Sequence, residues 1–386
     1  MKLIAQVQLN LTPERQINFS ETIRVANEAC NYLSELAWTH RIFYQFKLQK
    51  LCYHDLRSCF NISSQVAIHC IKKVVDAYKK DRRTKRVFSL TGSIAYDARI
   101  LSWNVKNQTV SIWTVGGRLK QVPFLAGKQQ LALLGTQQGE SDLICRDGQF
   151  YLLATCDVVE PEIPQPVGVL GIDLGIKNIA VTSDGKFFHS GLVKGIRSRH
   201  QRLRARLQSK GTRSAKRLLK KRARKERRFM TDINHQISNE IVANAKRTNR
   251  MISYETLTNI RDRVGTRVTQ KAKILRKQIS SWAFGQLRQF VEYKARRAGV
   301  WASPTYTPYS SQECSRCGYC SKLNRKTQRV FKCQKCKFTK HADLNGSNVL
   351  KKRGAVDVNL PDATKPYWCL LEPALVASSV LSGRGR

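Results

Sequence analysis

The chain opens on a partial alternation of apolar and polar positions, Met1-Lys2-Leu3-Ile4-Ala5-Gln6-Val7-Gln8-Leu9, which predicts a strand. From about residue 13 to 83 the spacing lengthens to that of helices. Asn61-Ile62-Ser63-Ser64 opens one of them, with Ala67, Cys70, Ile71, Val74, Val75 and Tyr78 recurring on one face. Residues 87–160 shift to short β-rich runs. Among these, Asp147-Gly148 between Leu143-Ile144-Cys145 and Phe150-Tyr151-Leu152 predicts a tight hairpin. The first strand (1–10) is expected to join 87–160 in one β-barrel, with the helices of 11–86 as an insertion. Pro161, Pro164 and Pro166 mark 161–166 as a linker.

Three strands follow, Val167–Asp173, Asn178–Ser183 and Lys186–His189, the last two turned at Ser183-Asp184-Gly185. A long helical region leads to a strand ending at Glu255. Another helix carries Trp282, Leu287, Phe290, Val291, Ala295 and Ala298 on one broad face, and the strand Val300–Ser303 comes after it. A cysteine-rich segment and a final helix from about 342 complete the unit. Three strands, then helix, strand, helix, strand, helix is the order of an RNase H-like domain. The expected class is α+β and multidomain, with that domain spanning 167–308 and 341–353 around a cysteine-bearing insert at 309–340. The tail, 354–386, lacks periodicity and is expected to be mobile.

Charge changes the picture more than composition does. Hydrophobic content of 41% and charged content of 25% are ordinary for a globular chain of 386 residues. The sign is not: 69 Lys and Arg stand against 27 Asp and Glu, a net charge of +42. Such an excess repels itself unless a polyanion is near, which points to nucleic acid. Ribosomal or chromatin-like proteins and membrane-surface binders share the bias. No run approaches the roughly 18 apolar residues that would span a bilayer, and the N-terminus has no signal-peptide core. A cytoplasmic, nucleoid-associated protein with no membrane partner is expected. From Lys194 to Arg228, 17 bases accompany one acid, Glu226, a density unlike a salt-bridged helix face. Arg204, Arg206, Lys210, Arg213, Lys216, Arg217, Lys220, Lys221, Arg224 and Arg228 in that run are candidate phosphate contacts. Lys79, Lys80, Arg82 and Arg83, at the end of the helix that Ser63 opens, are further candidates.

Cys314-x₂-Cys317-x₁₅-Cys333-x₂-Cys336 has the spacing of two paired knuckles around one structural Zn²⁺. Cys317-x₂-Cys320 offers a competing register. Gly318 favours the first, because the residue after a knuckle often needs positive φ. Three carboxylates, Asp173, Glu255 and Asp343, sit at two strand ends and a helix start. Singly, each has an ordinary alternative: a phosphate loop of the actin and sugar-kinase type, a solvated strand end, a helix N-cap. Their order around the cysteines favours a joint site for two Mg²⁺ ions, which prefer a few carboxylates plus phosphate oxygens and water.

These stretches resemble the TnpB family of transposon-encoded, RNA-guided nucleases related to type V CRISPR effectors. The matching residues are Gly171-Ile172-Asp173-Leu174-Gly175-Ile176-Lys177-Asn178, Ile252-Ser253-Tyr254-Glu255-Thr256-Leu257, the run Gln286 to Ala295, the cysteine knuckles, and Asp343-Leu344-Asn345-Gly346-Ser347-Asn348-Val349. The chain departs from the family at Gly346 and Ser347, where two alanines are usual, at Ala342, where Arg is common, and at Lys337, where Gly is common. The resemblance implies a RuvC-like nuclease domain with an inserted zinc ribbon, plus an N-terminal wedge barrel with a helical recognition insertion. It implies an RNA-guided DNA endonuclease that binds an omega RNA, reads a short motif beside a double-stranded DNA target and cuts both strands. Asp173, Glu255 and Asp343 would be its catalytic Mg²⁺ ligands. A monomer with RNA and a separately encoded transposase nearby are further implications. A miniature type V effector or a guided repressor without cleavage are the alternative readings.

Overall fold

A computed structural model of the chain describes residues 1–255 and 284–357. Trp282 and residues 358–386 lie outside the described residues; residues 354–357, expected in the tail, instead continue the last helix, which ends at Asp357. The chain divides into two compact units, Met1–Val159 and Glu160–Arg386.

The first unit is built on seven antiparallel strands: β1 (Lys2–Leu9), β2 (Ile94–Tyr96), β3 (Leu101–Asn104), β4 (Thr109–Thr114), β5 (Gly117–Leu125), β6 (Gln137–Arg146) and β7 (Gln149–Asp157). Their order is β2-β6-β7-β1-β5-β4-β3, so the N-terminal strand lies at the centre. Its alternation has a physical cause, since Ala5, Val7 and Leu9 face the core while Lys2, Ile4 and Gln6 face solvent. The sheet curls toward closure. The Tyr96 hydroxyl on edge strand β2 donates to the Trp113 carbonyl on β4, beside the opposite edge, at 3.1 Å. Asp147 and Gly148 both take positive φ, 57° and 76°, as the two-residue hairpin turn requires.

Three helices enter between β1 and β2: α1 (Pro13–Thr39), α2 (Gln45–Phe60) and α3 (Ser64–Lys80). Ser63 caps α3 by accepting from the Val66 N–H, and the six stripe residues read from the sequence are all buried. A short helix, α4 (Lys128–Leu134), interrupts the β-rich stretch. At seven residues it is too brief for a 3.6-residue period to declare itself.

In the second unit a meander of β8 (Gly168–Leu174), β9 (Asn178–Thr182) and β10 (Phe187–His189) is extended by β11 (Arg250–Glu255) and β12 (Ala302–Thr305). The order is β10-β9-β8-β11-β12, with β11 parallel to both β8 and β12. The last strand begins two residues later than its apolar run suggested. Parallel neighbours need crossover connections. The basic run supplies the first as a helical hairpin, α5 (Gly191–Lys210) and α6 (Arg213–Arg247), turned at Gly211 with φ 65°. α7 (Phe284–Ala298) precedes β12, and α8 (Ala342–Asp357) follows the two-strand ribbon β13 (Val330–Lys332) and β14 (Thr339–His341).

α8 packs against β8 at backbone distance. A Cβ on Gly171 would lie 2.0 Å from the Ser347 carbonyl and 2.5 Å from the Lys351 nitrogen. One on Gly354 would lie 2.6 Å from the Ser253 Cβ. Only glycine permits this approach, which brings the first turn of α8 to the end of β8. Among the described residues no helix is long and apolar enough to cross a membrane.

Candidate active site

β8 and β11 run side by side in parallel, with Tyr254 opposite Ile172. Asp173 and Glu255 are the next residues along, so both leave the same end of the sheet on the same face. Their neighbouring positions are apolar because central parallel strands are covered on both faces. Val169, Leu170, Ile172, Met251, Ile252 and Tyr254 are all buried. Asp343 arrives on the first turn of α8, where the N–H groups of the helix start favour negative charge. A Cβ on Gly346, one turn further on, would touch the Asp173 carboxyl at 3.3 Å, so the helix lies directly over that acid.

The three carboxylates gathered here repel one another. Burial holds the Asp173 carboxyl well above the ordinary carboxylate range, and the charges of Glu255 and Asp343 push it further; the Arg325 guanidinium opposes the shift. Asp343 is held on both oxygens. The Asn178 amide donates to one at 2.8 Å, and Arg325 Nη2 lies 3.3 Å from the other. Asn178 is in turn fixed by His189 Nδ1, 2.8 Å from its carbonyl oxygen. The arrangement is an acidic recess, chemically suited to divalent cations.

The cysteine segment closes on itself beside this recess. The Sγ atoms of Cys314, Cys317, Cys333 and Cys336 lie within 4.8 Å of one another and could hold a metal ion. Cys320 is not among them; its backbone bridges to Glu313 instead. Gly318 has φ 74°, as the favoured register needs, and Lys337 takes φ 58° after the second knuckle. Two contacts bolt this insert to α8. The buried Asn345 amide donates to the Glu313 carbonyl at 2.7 Å and accepts from the Ser315 N–H at 3.0 Å. Arg353, also buried, forms an ion pair with Glu313 and donates to the Tyr306 and Pro308 carbonyls.

Of the predicted phosphate contacts, Arg206, Lys210, Arg213, Lys216, Arg217, Lys220, Lys221 and Arg228 are exposed on the α5–α6 hairpin. Arg204 is exposed but pairs with Glu226 at 2.8 Å, and Arg224 is half-buried. Lys79, Lys80, Arg82 and Arg83 are exposed at the end of α3, Lys79 pairing with Asp76. Sequence reasoning missed Asn178, Arg325, Asn345 and Arg353. Asn178 and Asn345 lay inside recognised motifs, beside the first and third acids; Arg325 and Arg353 gave no signal.

Two family models match. Residues 154–258 match one described as a probable transposase, and residues 284–350 match the TNB domain of Cas12f1-like proteins. A TnpB-like protein of Methanocaldococcus jannaschii is 30% identical over 48% of this chain and 68% of its own length. A putative RNA-guided DNA endonuclease, InsQ, of Escherichia coli is 28% identical over 54% of this chain and 55% of its own. The CRISPR-associated endodeoxyribonuclease Cas12f1 of Syntrophomonas palmitatica is 29% identical over 45% of this chain, which spans only 36% of that relative. At 30% identity over 68% of the Methanocaldococcus protein's length, this chain belongs to the family of TnpB-like proteins.

Proposed function

We propose that the protein is an RNA-guided DNA endonuclease of RuvC-like fold, cutting double-stranded DNA at Asp173, Glu255 and Asp343. The observation that carries the reading is the convergence of these three acids from β8, β11 and α8, close enough that Glu255 and Asp343 both push the Asp173 carboxyl up. The sheet order, an antiparallel meander extended beyond its first strand by two parallel strands, supports the RNase H-like reading. Relatives described as RNA-guided DNA endonuclease and endodeoxyribonuclease support the same activity. The first unit is then the wedge barrel with its helical recognition insertion, and residues 309–340 are the ribbon inserted into the nuclease domain.

The residues fit two Mg²⁺ ions: three carboxylates converge, the half-buried Asp173 raised by the other two, and Arg325 pairs with Asp343 at 3.3 Å. A metal pair held by these carboxylates would supply charge neutralisation at the attacking and leaving oxygens and a lowered pKa of water. Asn178 fixes the orientation of the Asp343 carboxylate, and Glu255 and Asp173 would complete the oxygen ligand set. Arg325 is placed to meet a phosphate oxygen once cations neutralise the acids. The cysteine cluster fits one Zn²⁺. Its Sγ separations of 3.6 and 3.7 Å match the roughly 3.8 Å edge of a tetrahedron with about 2.3 Å Zn–S bonds. Four thiolates leave no open position, so its role is structural.

The chain's +42 charge suits a guide RNA and the DNA strands it pairs with. Asp173→Ala, Glu255→Ala and Asp343→Ala should each abolish Mg²⁺-dependent cleavage while guide-directed DNA binding persists, read by gel shift on the same samples. Comparable cleavage by native protein and Asp173→Ala would remove the assignment.

A further inference from the structure

The end of the second sheet remote from the three acids carries an apolar cleft of about 400 Å³. Pro161, Pro164 and Pro166 line it from the chain leading into β8, and Met251, Val300 and Trp301 line it from the starts of β11 and β12. The proline strap is pinned in place. The Val167 N–H donates to the Asn249 carbonyl at 2.9 Å, and the Asn249 amide donates to the Gln165 carbonyl at 3.1 Å. Gly299, at φ 70°, permits the close seat, since a Cβ there would lie 2.9 Å from the Glu162 carbonyl. The cleft is nonetheless open: Trp301 is 46% exposed and Val167, where the strap ends, 74%. Single exposed apolar residues are ordinary, but an exposed indole within a concave apolar surface marks a place where something binds. Lys246 stands at the rim and forms no ion pair among the described residues.

The last helix ends beside this cleft. Met251 and Trp301 stand one position before Ile252 and Ala302, which pair across β11 and β12, and the Ile252 N–H donates to the Trp301 carbonyl at 2.7 Å. Met251 also packs with Val169 and Ala355, so one side chain joins the cleft wall to the last turn of α8. Residues 358–386, outside the described residues, follow on from this edge of the sheet. Their sequence suits an apolar cleft with a basic rim. Pro366-Tyr367-Trp368-Cys369-Leu370-Leu371 is a compact apolar stretch, and 358–383 hold two acids, Asp362 and Glu372, against one base, Lys365, in a chain with 69 bases and 27 acids. Nine residues separate Asp357 from Tyr367. Extended at roughly 3.3 Å each they reach about 30 Å, beyond the roughly 19 Å spanned by five strands about 4.8 Å apart.

We propose that the cleft is the docking site of this chain's own C-terminal segment, with Tyr367 and Trp368 seated between the proline strap and Trp301, and Glu372 meeting Lys246. The tether supplies an effective concentration on the order of millimolar, so modest apolar contact is enough to hold the segment. It covers the sheet end remote from the acids, in place of the mobility that its lack of periodicity suggests. The cleft contains none of the three acids, so the docking stands or falls apart from the nuclease activity.

The test uses the full chain with the RNA that co-purifies. Labelling by N-ethylmaleimide is followed by peptide mass spectrometry, with the exposed Cys59 thiol as internal reference. In the native chain Cys369 should react about tenfold more slowly than Cys59, because only the undocked fraction meets the reagent. Trp301→Glu, in the cleft, and Leu370→Glu/Leu371→Glu, in the segment, should each bring the Cys369 rate up to that of Cys59. Carbodiimide, which joins an amine to a carboxylate in contact, should link Lys246 to Glu372 within one chain. Cys369 labelled as fast as Cys59 in native protein, or still protected in either variant, would overturn the docking. A Lys246 link to a carboxylate of a second chain would overturn it as well, and give the cleft to a dimer.

Discussion

Asn178 serves two partners at once, and its consequences belong to the residue scale. Its amide nitrogen holds Asp343 while its carbonyl oxygen is held by His189. Removing it leaves the acid in place but held on one oxygen only, by Arg325. Outer partners of metal ligands typically contribute 10- to 100-fold in affinity or activity. Asn178→Ala should therefore slow cleavage by about that factor and raise the half-saturating Mg²⁺ concentration, with DNA binding unchanged; an unaltered Mg²⁺ titration would contradict the role. Lys337 presents the converse case, a residue whose backbone opposes its identity. At φ 58° it occupies the left-handed region, where a side chain costs about 1–2 kcal/mol, partly offset because glycine has more freedom to lose on folding. Lys337→Gly should stabilise the chain by roughly 0.5–1 kcal/mol, read as a raised midpoint in denaturant, and a lowered midpoint would show that the knuckle needs the lysine side chain.

At the scale of elements, the ribbon and α8 are one mechanical piece. Asn345 and Arg353 leave α8 on separate turns and both reach Glu313, one residue before the first cysteine of the cluster. Loss of the metal should thus disturb the helix that carries Asp343. One Zn²⁺ per chain is expected by elemental analysis, and Cys314→Ser or Cys336→Ser should lower both thermal stability and cleavage, because zinc-site binding energy is folding energy. Cys320→Ser should change neither. Arg353→Ala would strand the buried Glu313 carboxylate, a loss of about 3–5 kcal/mol. Damage from Cys320→Ser with a silent Cys314→Ser would mean the other register. This element also shows what a linear reading can and cannot reach. The cysteine spacing is a local property, dictated by the turn that presents two thiolates, and so is an acid closing an apolar strand. Arg325 and Arg353 act through partners 18 and 40 positions away, and nothing in a basic chain separates two arginines from the other bases. Likewise β12 began two residues late because Val300 packs in the core ahead of the ladder, and apolar runs report burial rather than pairing. The close seat of α8 is written at Gly171 and Gly354, but a glycine marks many things until the atom it would strike is known.

Across the whole molecule, charge and site answer different questions. On the proposed reading, three acids would cut any phosphodiester they can reach, so selectivity would have to come from what positions the strand. Side chains read a few bases at roughly 1–3 kcal/mol for each good bidentate contact, whereas pairing to a guide supplies a far longer address. The exposed bases of the α5–α6 hairpin are suited to holding that guide by its backbone. Neutralising Lys216, Arg217, Lys220 and Lys221 together should flatten the salt dependence of RNA binding by about 0.7–0.9 logarithmic units for each phosphate that these side chains no longer neutralise; an unchanged slope would place the RNA elsewhere. The claim that binds charge, fold and acids together is that cutting requires both the guide and the three carboxylates. It is tested most directly by stripping the bound RNA, then assaying a matched double-stranded target in Mg²⁺ with and without that RNA, for the native chain and Asp173→Ala. Cleavage is predicted only from the native chain with RNA restored, and sequence-specific cutting by the RNA-free protein would contradict the account.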